Sequence, residues 1–94
     1  MPTLHIEHEI TDLETWLSAF NGFADARRQA GVRAESVQQP VDNSGYIVVD
    51  LEFGTVEEAD AFLRFLEEQV WALPESAPAL AGVPQTMILE RVAT

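Results

Sequence analysis

Two stretches of this chain alternate strictly in polarity, and that alternation constrains the fold more than any other feature. In "TLHIEHEI", residues 3–10, Leu4, Ile6, His8 and Ile10 share one face, and Thr3, His5, Glu7 and Glu9 share the other. In "YIVVDLEF", residues 46–53, Ile47, Val49, Leu51 and Phe53 stand against Tyr46, Val48, Asp50 and Glu52. A period of two marks a strand with one apolar face. A sheet of such strands needs cover on one side only.

Helical patterns lie between the strands. "TDLE" places Thr11 three residues before Glu14, the spacing of a capping box. Leu13, Trp16, Leu17, Phe20, Phe23, Ala24 and Arg27 then recur at helical spacing. Gly31 is the expected left-handed stop, and Arg27 and Arg28 suit the negative end of the helix. "VRAESVQQ", 32–39, reads as a weaker strand, and "PVDNSG" is turn chemistry. After Gly54 breaks the 46–53 strand, Thr55 and Glu58 form a second capping box. The helix they open buries Ala59, Phe62, Leu63, Leu66 and Val70 and closes at Pro74. "PESAPALAGVP" reads as a loop and "QTMILERV", 85–92, as the last strand, in which Met87 and Leu89 compete with Ile88 and Val92 for the core. The order β-α-β-β-α-β predicts one domain over residues 1–94. It is a ferredoxin-like α+β sandwich: a four-stranded antiparallel sheet with two helices on one face.

Size and charge narrow the function classes. A chain of 94 residues buries only about 60–65% of the surface it exposes when unfolded, so a partner subunit would add to a thin core. Net charge is −11, with five arginines and no lysine. Such a surface is unsuited to nucleic acid or to an anionic membrane, where cations must displace counterions at phosphates. The absence of cysteine excludes disulfides, thiolate metal sites and cysteine nucleophiles. "MPTLHIEHE" has neither a basic leader nor a long apolar run, and "VWALP" falls far short of the roughly 20 residues of a membrane span. A cytoplasmic protein is expected.

The uncovered sheet face is the informative one. With the first and third strands as central neighbours, His5, Glu7, Asp50 and Glu52 come close together there, joined by Tyr46. Such a face either meets water or packs against a second copy, enclosing a cavity of mixed polarity. His8 falls on the helix side, so the two histidines do not form a pair.

"HEITDLETWLSAF", with His8, Ile10, Asp12, Trp16 and Phe20 in a His-x-Ile-x-Asp-x3-Trp-x3-Phe pattern, is followed in order by "RRQAGV", "VVDLEF" and "EEADAFL". The chain resembles the dimeric α/β-barrel superfamily over nearly its whole length, closest to small proteins near antibiotic-biosynthesis monooxygenases and polyketide cyclase-like proteins. The resemblance implies a homodimer through the open sheet face. It leaves activity open, because the superfamily includes cofactor-free monooxygenases, haem-degrading enzymes, cyclases, decarboxylases and proteins of no known activity.

Two functional readings remain. The first is a small-molecule-binding or assembly module, and the second a cofactor-independent monooxygenase or cyclase acting on an aromatic or polyketide-like molecule held between sheet and helices. In the second, His5, Glu7, Asp50 and Glu52 form the acid–base cluster, since crowded carboxylates raise one another's pKa and hold a nearby histidine protonated. The alternative for these four is a solvated or interfacial polar face. Tyr46, His8 and Trp71 are the candidate ligand-binding residues. His8 is either a proton carrier at the barrel mouth or a hydrogen-bonding residue tying the strand end to the first helix turn. Trp71 either caps a cavity or pins the loop beside it. Neither a metal nor another cofactor is expected: His5 and Glu7 with one further carboxylate make a sparse ligand set. The haem degraders of the superfamily carry their histidine on a helix, not on the first strand.

Overall fold

The computed structural model describes all 94 residues. The elements run β1 (Thr3–Ile10), α1 (Leu13–Gly22), α2 (Ala24–Gln29), β2 (Ala34–Gln38), β3 (Tyr46–Glu52), α3 (Val56–Phe65) with a π-helical turn (Leu66–Val70), and β4 (Leu80–Leu89). The strands form one antiparallel sheet in the order β2-β3-β1-β4, with β1 and β3 at its centre. This is the ferredoxin-like sandwich expected from the alternation. Leu4, Ile6 and Ile10 of β1 join Ile47, Val49 and Leu51 of β3, then Phe53, Ala59 and Phe62, in one buried cluster beneath the helices. Only 14 of 94 residues are buried, so the core is thin. No helix is long and apolar enough to cross a membrane.

Four local expectations are corrected. The cap of α1 is Asp12, not a Thr11–Glu14 box: the Asp12 carboxylate accepts from the Thr15 amide and hydroxyl, both at 2.8 Å. Asp and Thr both cap well, so a sequence carrying them side by side leaves the choice to local geometry. The first helix is also two helices. Asn21 and Gly22 are poor helix formers, and the chain breaks at Phe23 (φ −100°, ψ 13°). At the break the Phe20 carbonyl accepts from the Phe23 amide at 3.2 Å and from Arg27 Nη1 at 2.5 Å.

The helix opened by Thr55 ends in the π-helical turn at Val70, before Pro74 is reached. Its capping box is present as expected. Finally, β4 starts at Leu80 and ends at Leu89, five residues earlier than expected at its start. "LAGVP" looks like loop because Gly and Pro interrupt it. In the fold those residues form a bulge: Glu9 pairs with Ala81 but Glu7 with Gln85, and Gly82 takes φ +71°. A bulge admits a proline that cannot donate to the ladder. It also resolves the competition in β4, where Ile88 packs on the core while Met87, Leu89 and Val92 are exposed.

Candidate functional site

The sheet has two chemically distinct faces. On the open face, strand pairing sets Ser36, Asp50, His5 and Met87 in one row across all four strands, and Gln38, Val48, Glu7 and Gln85 in the next. His5 Nδ1 lies 2.7 Å from Asp50 Oδ1, and His5 Nε2 lies 2.7 Å from Glu7 Oε2. Tyr46 donates its hydroxyl to the other Glu7 oxygen at 2.7 Å. An ionised carboxylate only accepts, so both ring nitrogens of His5 carry protons. Glu7 first, then Asp50, holds the His5 pKa above its ordinary 6.5, against the opposing effect of burial. In return His5, then Tyr46, holds Glu7 below the usual carboxylate value. Tyr46 is pushed up by its bond to Glu7. The structure thus brings together four of the predicted residues, His5, Glu7, Asp50 and Tyr46. Glu52 lies one row away and makes no hydrogen bond to them. The network is closed: its imidazolium has no lone pair with which to accept a proton.

The helix-side face holds a half-open cavity of about 80 Å³, lined by 17 residues of which 14 are hydrophobic. Ile6, Val49 and Leu51 form its floor. Trp16, Phe20 and Phe23 of the α1 segment close one side, and Leu66, Val70 and Trp71 the other. Trp16 and Phe20 stack at 4.8 Å. The three polar side chains are His8, Arg27 and Ser76. His8 and Trp71, two of the predicted ligand-binding residues, therefore lie across the sheet from Tyr46 and the His5 cluster. The pairing of a sheet–helix cavity with an open-face base is ruled out, because the β-sheet stands between them.

His8 is 5% exposed. It does not reach the first helix turn: its Nδ1 lies 2.8 Å from the carbonyl of Glu9, the next residue on its own strand. A carbonyl only accepts, so Nδ1 carries the proton and the neutral ring keeps its lone pair on Nε2. Burial holds the His8 pKa below 6.5, outweighing the Glu9 contact.

Sequence reasoning placed Arg27 on the apolar stripe but missed what it does. Arg27 is 5% exposed. Its Nε donates to Glu35 of β2 at 2.8 Å, its Nη1 bonds the Phe20 carbonyl, and its guanidinium lies 3.6 Å over the Phe20 ring. The available signal was a cation at a helix position otherwise filled by Leu, Trp and Phe. No group of three or more histidine and carboxylate side chains is arranged to hold a metal ion.

No protein-family model matches the chain, and no curated protein matches it. Solved structures match its fold end to end. An antibiotic biosynthesis monooxygenase aligns with TM-score 0.69 and 14% identity, over 99% of this chain and 100% of that one. A candidate antibiotic biosynthesis monooxygenase from Nitrosomonas europaea gives 0.73 and 15%, over 99% and 100%. A dimeric ferredoxin-like protein from an uncultured marine organism gives 0.65 and 10%, over 98% and 97%. At these identities the likeness is one of fold. The chain has the ferredoxin-like α+β fold that these antibiotic biosynthesis monooxygenase and dimeric ferredoxin-like structures share.

Proposed function

We propose that the chain is a small-molecule-binding module, acting as a homodimer through its open sheet face and holding a small apolar or aromatic ligand between sheet and helices. The observation that carries this reading is the cavity, whose lining is apolar except for His8, Arg27 and Ser76. Its size limits the ligand. A dry cavity of about 150 Å³ holds one benzene ring, so a space of about 80 Å³ suits a single ring that protrudes at the mouth or displaces α1. That helix has no fully buried residue, so it is the wall that yields most easily. The dimer is supported by the thin core and by Met87 and Leu89, 55% and 42% exposed on the uncovered face.

Trp16 and Trp71 both line the cavity, so their emission reports on occupancy. Titration with toluene is expected to give a saturable change, abolished when Val70→Trp fills the space. A linear, unsaturable response in the native chain would refute the reading. Light scattering at micromolar concentration tests the dimer, and a monomer there would remove it.

A second reading, a cofactor-independent monooxygenase or cyclase, is favoured by the free His8 lone pair in a cavity lined mostly by apolar side chains. The base would then be His8, not the open-face cluster. Loss of a general base costs about a hundredfold or more in rate. Oxygen uptake with an aromatic quinol should therefore collapse in His8→Phe and persist in His5→Gln.

A further inference from the structure

Among the side chains that line the cavity, His8 alone offers a nitrogen lone pair that no group of the chain occupies. His8 lines the cavity at 5% exposure, and its Nδ1 is taken by the Glu9 carbonyl. Nε2 has no partner within the chain. It is not walled in, because every sealed side-chain nitrogen or oxygen is hydrogen-bonded. The other two polar residues offer less. The Arg27 guanidinium is held by Glu35, the Phe20 carbonyl and the Phe20 ring. Ser76 is half-buried at the rim, shared with a neighbouring surface groove.

Resting on the ligand-cavity reading above, we propose that this site selects a neutral apolar molecule carrying one hydrogen-bond donor, received by His8 Nε2, and that it discriminates against carboxylates. The reasons are the unequal costs of leaving polar groups unpaired. A hydroxyl buried in an apolar cavity without a partner is penalised, so an apolar pocket of this shape lacking the imidazole favours a methyl group over a hydroxyl. An acceptor at the right place reverses that preference, and a neutral hydrogen bond is worth about 1 kcal/mol net, or about fivefold. An anion meets a lone pair at Nε2 and a cation already neutralised by Glu35.

The test compares phenol, toluene and benzoate, alike in size and different in polarity, near pH 7.5 with tryptophan emission as readout. Phenol is expected to bind the native chain at least as tightly as toluene, and benzoate weakest. In His8→Phe the preference for phenol over toluene should fall at least fivefold. If that variant does not fold, the 15N resonance of His8 Nε2 in the native chain decides, since phenol should shift it and toluene should not. Saturable toluene binding with phenol no better than in His8→Phe, or with no shift at Nε2, overturns this inference and leaves the cavity reading standing. Benzoate binding more tightly than phenol also overturns it, because Arg27 would then be available. Absence of binding by both toluene and phenol overturns the inference and the cavity reading together.

Discussion

His5 and His8 stand three residues apart on one strand, yet they live in opposite chemical worlds. His5 projects from the open face, both nitrogens 2.7 Å from carboxylates, and is held as a cation. His8 projects into the apolar side, donates to a backbone carbonyl, and is held neutral. An odd separation on a strand puts two side chains on opposite faces. Residue type therefore says little here; the parity of the position decides whether an imidazole is a charged tie or a free lone pair.

The largest test of this asymmetry is packing. Phe53, fully buried on the helix side, should cost about 3–5 kcal/mol when cut to Ala. Met87→Ala on the open face should cost less than about 0.5 kcal/mol within one chain. Urea denaturation at two protein concentrations separates the cases, because pairing through the open face would make the Met87 loss concentration-dependent. Equal, concentration-independent losses would break the distinction between the faces.

The next effect concerns the only charged side chain buried on the cavity side. Glu35→Ala leaves the Arg27 guanidinium with the Phe20 carbonyl and ring alone. The expected loss is about 2 kcal/mol, below the range for fully buried pairs because Glu35 is partly exposed. It should loosen the α1–α2 wall, read as faster amide exchange across 13–29 than across α3.

The two histidines should then respond to pH with opposite sign. The folded chain holds the His5 proton more firmly than the unfolded chain does. That stabilisation is complete below the ordinary value of 6.5 and disappears as pH rises through the raised folded value. For His8 the unfolded chain binds the proton more firmly, so stability is intact above 6.5 and falls as pH drops from there towards the lowered folded value. Urea midpoints from about pH 5 to about pH 8 check this. His5→Gln should lose most at the acid end, and His8→Gln should flatten the acid-side decline. Slopes of the same sign in both variants would break the comparison.

The smallest contrast lies at the two helix starts. Thr55→Ala removes half of a formed capping box and should cost about 1 kcal/mol. Thr11→Ala should change stability by less than about 0.5 kcal/mol, the usual range for a surface substitution, because Asp12 does the capping.

The candidate site was legible in part. Alternation placed His5, Glu7, Asp50 and Tyr46 on one face and His8 on the other, since parity is local information. It did not reveal that the first four are joined hydrogen bond to hydrogen bond. That depends on the register Glu7↔Val48 and His5↔Asp50 between strands that three other elements separate along the chain. The location of the cavity was less legible still. Aromatic residues at helical spacing describe a packed core as well as a hollow one, and only the distance between α1 and the sheet separates the two. Arg27 shows the same limit: its partner Glu35 lies across a turn, on a strand whose residues are all exposed.

What the sequence by itself determined is the set of faces and most of the elements. Polar alternation, the Thr55–Glu58 box and Gly31 (φ +99°) act within a few residues, so they can be read without knowing the fold. Tertiary structure alone decided how far the helices stand off the sheet, which carboxylates reach His5, and that His8 keeps a nitrogen unpaired beside a cavity. Those features depend on groups distant along the chain meeting within an ångström or so, and hydrogen bonds and close packing both fail beyond that tolerance.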